Sequence, residues 1–168
     1  MVGFIVRFVV GWVAVLSLVA FVPALEKWWI RFTVGSVARI APLFHMTCDP
    51  RGGNLSLGGA GIAIVSDCTP MMPIATLWIA ILAFPAPWVR RLGGMAVGAA
   101  LLWLYNLLRI FALVPVMLYH PRWFDFIHVY LWQTVTLLVV FALFMFWLST
   151  QRSHGGGQSP TTGPPSPA

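Results

Sequence analysis

The stretch Leu92–Tyr119, "LGGMAVGAALLWLYNLLRIFALVPVMLY", is a long apolar run that contains one charged residue, Arg109. A helix needs about 20 predominantly apolar residues to cross a hydrocarbon core of about 30 Å. The stretch therefore predicts a transmembrane helix, and it places an arginine inside that helix.

The composition of the whole chain agrees with a membrane protein. Of its 168 residues, 60% are hydrophobic and 8% are charged, whereas soluble domains carry about 25% charged residues. The net charge of +6 does not indicate nucleic-acid binding, because the ten Lys and Arg residues are scattered between apolar runs and form no basic face. We expect them to orient the chain in the bilayer and to contact anionic lipid headgroups.

Three further apolar runs are long enough to cross a bilayer. We expect an all-α integral membrane protein over residues 1–151, folded as a bundle of about four transmembrane helices. The predicted spans are 8–25, 71–89, 92–119 and 129–151. A second interpretation of the first span is open, since Val22–Ala24 resembles a cleavage site and the run before it a signal peptide.

The segments outside the spans differ from them in composition. Residues 26–40 place basic residues among tryptophans, which predicts an interfacial amphipathic helix with its aromatic side chains at headgroup depth. Residues 48–61 read as a glycine-rich loop that lacks the phosphate-binding pattern. The tail, 152–168, is rich in Gly, Pro and Ser with no apolar segment to bury, and we expect it to be disordered.

The basic residues also predict the orientation of the chain. Arg90 and Arg91 fall in the short connection between the second and third spans, and short loops rich in Lys and Arg stay cytoplasmic. Arg7 and Arg152 agree with this assignment. We therefore expect a protein of the cytoplasmic (inner) membrane with both termini in the cytoplasm and the long first loop facing outward.

This topology brings three reactive side chains to the outer end of the bundle. Cys68 lies just before the second span and His128 just before the fourth. Arg109 lies roughly 27 Å from the inner end of the third span, because a helix rises about 1.5 Å per residue. The three side chains are therefore predicted to meet at one depth.

Arg109 is the most informative of the three. An arginine inside a span costs at least about 2.5 kcal/mol on insertion scales and marks a candidate functional site. The alternative is that its side chain reaches the headgroups and has no further role. Asn106 shares a helix face with Arg109, and two costly polar groups on one face favour a polar pocket inside the bundle.

Cys68 is the candidate nucleophile, and a nearby Arg109 would favour its thiolate form. Asp67 opposes that effect electrostatically, so we expect its carboxylate to point away or to pair with a base. Two other interpretations of Cys68 are open. It is a small buried residue, or it forms a disulfide with Cys48 on the oxidising side of the membrane.

His128 is the candidate proton carrier, since histidine titrates near neutral pH. His120 competes for this role, and an interfacial histidine with its tip in water is the alternative for His128. A cysteine, an arginine and a histidine at one site suit acyl transfer, in which the thiolate attacks an acyl carbon, the arginine stabilises the oxyanion and the histidine handles protons. The two cysteines form no CxxC, and no metal or cofactor is expected.

The order of these motifs resembles the exosortase/archaeosortase family of integral-membrane cysteine transpeptidases. "SDCTP" places the cysteine before a span, "NLLRI" places the arginine in the next span, and "FIHVY" places the histidine at the start of the last, over about residues 62–148. The chain is similar to a compact variant of the family. Many members have a glycine soon after the cysteine, where this chain has Thr69 and Pro70, and larger members have about eight spans.

The resemblance implies that Cys68 is the nucleophile, that Arg109 stabilises the oxyanion and the thiolate, and that His128 carries the proton. It also implies the partners. These are exported proteins with a C-terminal sorting signal, which consists of a short motif, a transmembrane helix and a basic cluster. Cleavage at the outer face would give a thioacyl intermediate, which passes to a cell-surface acceptor or to water.

Three other functions are open. A non-catalytic subunit or assembly factor of an envelope complex would tolerate the loss of Cys68. A thiol–disulfide enzyme would require both Cys48 and Cys68, against the absence of a CxxC. A small transporter would use Arg109 and Asn106 to line a path, against the clustering of the polar residues at one end of the bundle.

Overall fold

In the computed structural model of this chain, most of the described residues are helical; the described ranges are 2–51, 54–57, 59–63 and 68–155. The α-helices are α1 (Val2–Phe21), α2 (Pro23–Ile40), α3 (Met71–Ala83), α4 (Trp88–Tyr119), α5 (Pro121–Asp125) and α6 (Trp132–Gly155). A 3₁₀ turn, Ala41–Phe44, follows α2, and a π-helical segment, Phe126–Leu131, joins α5 to α6. Of the tail predicted to be disordered, 152–155 belong to α6, and 156–168 lie outside the described residues.

Three helical stretches of the described chain are long and apolar enough to cross a membrane: Val2–Phe21, Trp88–Tyr119 and Pro121–Gln151. By length and composition, the fold is compatible with a membrane protein. Because α4 begins at Trp88, Arg90 and Arg91 belong to its first turns rather than to a loop. The guanidinium of Arg91 lies over the Trp88 ring, 4.9 Å from the ring centroid.

The helix in the region of the predicted second span is shorter than the predicted 71–89. It ends at Ala83 after 13 residues, about 20 Å of helix. Phe84 adopts an extended conformation with φ −85° and ψ 135°, because a residue that precedes a proline, here Pro85, is driven out of the α region.

The same rule sets the boundary between α1 and α2. The predicted boundary lies between residues 25 and 26, whereas the structure breaks the helix at Val22, with φ −124° and ψ 74°. Val22 precedes Pro23, which occupies the first helical position of α2. One face of α2 is buried through Thr33, Val34, Ser36 and Val37, while Trp28 on another face is 55% exposed. The helix is therefore amphipathic in the fold.

The glycine-rich segment forms a small antiparallel sheet that the all-α prediction did not include. Its strands are β1 (Cys48–Arg51), β2 (Asn54–Leu57) and β3 (Ala60–Ala63), in the order β1-β2-β3. Arg51 pairs with Asn54, and Leu57 pairs with Ala60, so each connection has two residues. Gly59 has φ +88°, a value that glycine adopts without steric cost.

The core has two parts, stacked along the bundle. The first part surrounds Cys68 and includes the fully buried side chain of Leu57. Its other buried residues are Val34, Val37, Ala41, Leu107, Ile110, Phe111 and Val114. The second includes Ile74, Leu77, Ile81, Leu102, Val140 and Trp147. The helix α3 packs against α1, α4 and α6, and it is therefore the central helix of the bundle.

Candidate functional site

Cys68 lies at the junction between the β-sheet and α3, at the start of the central helix. Its side chain is buried, with 9% of its surface exposed. Pro70 is the N-cap residue of α3, and its carbonyl accepts a hydrogen bond of 3.0 Å from the backbone N–H of Ile74. A proline at the start of a helix costs no intrahelical hydrogen bond. The sequence "CTPMMP" can therefore begin α3 at Met71, three residues after Cys68.

His128 lies within 3.5 Å of the cysteine, measured from Nε2 to Sγ. The two residues are 60 positions apart in the chain. His128 belongs to the π-helical segment, and Phe124 stacks on its ring with a centroid separation of 5.3 Å and an interplanar angle of 15°. The wider turn of a π-helix changes the direction of its side chains, and such segments are frequent at functional sites.

Arg109 is buried in α4, with 6% of its surface exposed. Its guanidinium donates a hydrogen bond of 3.5 Å to the main-chain carbonyl of His128. Asn106, one turn earlier and 5% exposed, donates from its side-chain amide to the main-chain carbonyl of Cys68 at 2.9 Å. Asn106 and Arg109 thus lie on one buried face of α4, and this face contacts the backbones of both Cys68 and His128.

A cavity of about 480 Å³ adjoins these residues. It lies between α1, α2, α3, α4 and α6, and most of its wall is apolar. The polar residues that line it are Glu26, Thr69, Thr76, Arg109, Gln133 and Thr136. Cys68 and His128 are not among its lining residues. The cavity lies next to them, because Thr69 follows Cys68 directly and Arg109 bonds the His128 backbone.

Thr136 connects this cavity to a second hydrogen-bonded pair. Its hydroxyl donates to the main-chain carbonyl of Trp132 at 2.6 Å and lies 3.1 Å from the hydroxyl of Tyr105. Since the single hydroxyl proton of Thr136 serves Trp132, Tyr105 is the donor between the two hydroxyls. The pair ties α4 to α6 next to the cavity.

The Cys68–His128 geometry suits proton transfer. An S···N separation of 3.5 Å is within hydrogen-bonding range, so an imidazole with Nδ1 protonated can accept the thiol proton at Nε2. The product is a thiolate beside an imidazolium, the reactive form of a cysteine nucleophile. A buried guanidinium at the same site supplies a fixed positive charge for an anion that forms there.

The remaining predicted residues are placed as follows. His120 is exposed at the junction of α4 and α5, where it caps α4. Cys48 is a half-buried thiol in β1, and within the described residues Cys48 and Cys68 do not form a disulfide. Burial, followed by the charge of Asp49, raises the pKa of Cys48. Asp67 lies outside the described residues.

Sequence reasoning did not identify Glu26, Thr69, Tyr105 or Phe124 as neighbours of the site. Glu26 falls in the predicted interfacial helix, and the structure places it in the first turn of α2, where it lines the cavity. A signal for Tyr105 was present, since it adjoins Asn106 in the third span. Within the described ranges, no group of three His, Cys, Asp or Glu side chains is arranged to hold a metal ion.

Comparisons with protein-family models, with curated proteins and with solved structures find no match to this chain. Arguments about its function therefore rest on its own residues and on the geometry of the site.

Proposed function

We propose that this chain is a membrane-embedded cysteine transpeptidase or protease of the exosortase type. In this proposal it cleaves the C-terminal sorting signal of exported proteins at the outer face of the cytoplasmic membrane. The observation that carries the proposal is the 3.5 Å contact between Cys68 Sγ and His128 Nε2, beside a buried Arg109. Neither a small packing cysteine nor an interfacial histidine requires the other residue at that distance.

In the first half of the reaction, the Cys68 thiolate attacks the carbonyl carbon of the scissile peptide bond. The carbonyl oxygen takes the negative charge, and the Arg109 guanidinium stabilises it. As the C–N bond breaks, the His128 imidazolium gives its Nε2 proton to the leaving amine. The products are a thioester on Cys68 and a released C-terminal segment.

In the second half, a nucleophile of the cell surface or a water molecule attacks the thioester carbonyl. His128 Nε2 accepts the proton of the attacking group, and the C–S bond breaks. The Cys68 thiolate leaves, and the imidazolium beside it restores the starting ion pair. The first acceptor makes the protein a transpeptidase, and water makes it a protease.

The proposal includes four membrane crossings with the site at the outer end. The third and fourth crossings are α4 and the Pro121–Gln151 stretch, and α1 is the first. We assign the second to α3, although it is shorter than a bilayer core, because α1, α4 and α6 pack around it. A helix that contacts neighbouring helices rather than lipid does not have to match the lipid thickness by itself.

The orientation in this proposal follows from the basic residues. Arg7, Arg90 and Arg91 would lie at the cytoplasmic end, and both termini would lie in the cytoplasm. The amphipathic α2 would lie at headgroup depth, because its exposed residues Lys27, Trp28 and Arg31 are those that interfacial helices carry. Membrane lipid is thus a second partner, alongside exported proteins with a sorting signal.

The test compares matched pairs of variants in one strain background at equal expression. Cys68→Ala is paired with Cys48→Ala, His128→Ala with His120→Ala, and Arg109→Ala with Arg122→Ala. The readout is the intact mass of membrane-anchored exported proteins, which shows whether each keeps its C-terminal helix. We expect uncut precursors in the first member of each pair and normal processing in the second.

Two results would contradict the proposal in different ways. Normal processing with Cys68→Ala excludes a nucleophilic role and favours the non-catalytic subunit or assembly factor. Equal loss with Cys68→Ala and Cys48→Ala favours the thiol–disulfide enzyme, because only that chemistry needs both thiols.

A further inference from the structure

The outer edge of β3 presents main-chain hydrogen-bonding groups. Because only two residues connect Leu57 and Ala60, that pair exchanges both of its hydrogen bonds. Hydrogen-bonded and non-hydrogen-bonded pairs alternate along an antiparallel ladder. The N–H and C=O groups of Gly61 and Ala63 therefore point away from β2, and no strand within the described ranges pairs with this edge.

The outer edge of β1 is less suited to pairing. The same alternation, counted from the pair of Arg51 and Asn54, directs the main chain of Pro50 and Cys48 outward. Proline has no N–H to donate, and it is found in sheets at edges that do not pair. Of the two outer edges of the sheet, that of β3 is the one at which every outward-pointing residue has a main-chain N–H to donate.

The strand β3 is also open at Gly61, on the face to which a side chain at that position would point. Gly61 is exposed, and a Cβ built on it would meet no heavy atom within 4 Å. Small residues, Ala60, Gly61 and Ala63, make up three of the four positions of the strand. An extended main chain can approach such a strand closely, because few side-chain atoms stand in its way.

The edge lies close to the candidate nucleophile. The strand ends at Ala63, five residues before Cys68, and five residues of chain span at most about 18 Å. β3 also packs against α4, the helix that carries Asn106 and Arg109. A peptide bound along β3 can therefore reach the thiol with a few extended residues.

We propose that the outer edge of β3 binds the substrate segment next to the scissile bond as an added antiparallel or parallel strand, through the main-chain groups of Gly61 and Ala63. The inference rests on the proposed function, because it concerns how the substrate of that site is held. Strand addition gives affinity through the main chain and restricts the bound segment to an extended conformation. The scissile carbonyl is thus held near Cys68, within a few residues of the bound segment.

The test uses the full chain in detergent micelles and acetyl-(alanine)n vinyl sulfones of one to five residues. The Cys68 thiolate adds to the terminal vinyl carbon to form a C–S bond, and the neighbouring carbon takes a proton. We expect the second-order labelling rate constant to rise with length by roughly two- to tenfold for each main-chain hydrogen bond added. N-methylation of the alternate alanines whose N–H groups point toward β3 should abolish that rise. N-methylation of the other alternate alanines, whose N–H groups point away from β3, should not.

The substitutions Gly61→Pro and Gly61→Ala distinguish the effect of losing the main-chain N–H from the effect of adding a side chain. Proline removes the outward N–H of residue 61 and leaves the β2–β3 ladder intact, while alanine adds a Cβ and keeps the N–H. We expect Gly61→Pro to slow labelling by the longest probe roughly two- to tenfold and Gly61→Ala to leave it unchanged. Labelling by the one-residue probe serves as the folding control and should not change in either variant.

The outcomes distinguish the two proposals. If labelling of Cys68 does not depend on probe length, or if the two methylated sets behave alike, strand addition is overturned while a reactive Cys68 stands. If no vinyl sulfone labels Cys68, the proposed function fails and the inference fails with it. If Gly61→Pro converts a dimer into a monomer at an unchanged labelling rate, the edge binds a second copy of this chain instead of substrate.

Discussion

The side-chain amide of Asn106 donates a buried hydrogen bond of 2.9 Å to the main-chain carbonyl of Cys68. The contact joins α4, a long apolar helix, to the backbone of the candidate nucleophile. It holds the backbone of Cys68 in position, and a substitution at Asn106 can remove it while Cys68 keeps its thiol group.

Replacement of Asn106 with leucine, which has the same branched arrangement of side-chain heavy atoms but no polar group, should destabilise the fold and displace Cys68. The carbonyl of Cys68 loses its donor in a buried site, which costs about 1–3 kcal/mol. Thermal unfolding in detergent micelles measures the stability, and vinyl sulfone labelling measures the position of the thiol. Gln151→Leu is the matched control, since its contact with Arg90 is exposed and long at 3.5 Å. Equal effects of the two substitutions would show that the Asn106 contact has no special role.

Arg109→Lys should lower the rate of the reaction although it keeps the positive charge. Lysine lacks the planar fork of arginine and cannot hold the carbonyl of His128 and face the reacting oxygen in the same way. The loss of an oxyanion donor costs roughly 100- to 1000-fold in rate. The rate of precursor cleavage measures the effect, with Arg91→Lys at the other end of α4 as the control. Wild-type activity in Arg109→Lys would mean that charge alone is required.

Gly94→Ala should destabilise the bundle, whereas Gly93→Ala should not. A Cβ on Gly94 would overlap the indole of Trp147, whose Nε1 donates to the carbonyl of Arg90 at 3.2 Å. Forced displacement of a packed side chain costs about 1–3 kcal/mol. At Gly93 nothing lies within 4 Å of the new Cβ, and alanine should stabilise the helix by about 0.5–1 kcal/mol. Thermal unfolding measures the stability of both variants. The same change in unfolding temperature for both would contradict this packing.

Cys48 should react slowly with iodoacetamide near neutral pH. Burial and the charge of Asp49 raise its pKa, and only the thiolate is alkylated. Its alkylation rate should therefore rise with pH around a midpoint above that of an exposed cysteine. Measured in a Cys68→Ala background, Asp49→Asn should move the midpoint downward by the smaller part of the shift, because burial is the larger cause. A midpoint that does not move would assign the whole shift to burial.

Part of the fold could be read from local sequence. The hydropathy of residues 92–119 predicted α4, since the requirement to satisfy backbone groups in lipid makes a long apolar run helical. The ends of the other helices were less accurate. The breaks at Val22 and Phe84 follow from Pro23 and Pro85, so their signal was present in the sequence.

The sheet was missed because strand pairing depends on partners and not on local composition. The sequence held a signal for it in two Gly-Gly pairs, Gly52-Gly53 and Gly58-Gly59, which favour two-residue hairpin connections. The four-residue strands on either side of these pairs are too short to show an alternating pattern. The burial of Leu57 against the helices completes the sheet, and that contact is visible only in three dimensions.

The sequence by itself determined that this chain is apolar and mostly helical, because hydropathy is a local property, and it predicted that Cys68, Arg109 and His128 lie near one end of the helices. Only the tertiary structure decided that Cys68 Sγ and His128 Nε2 lie 3.5 Å apart, that His128 and not His120 occupies this position, and that Glu26 lines the cavity. Those facts depend on how α3, α4 and the π-helical segment pack together. Packing joins residues 60 positions apart, and no spacing along the chain encodes such a distance.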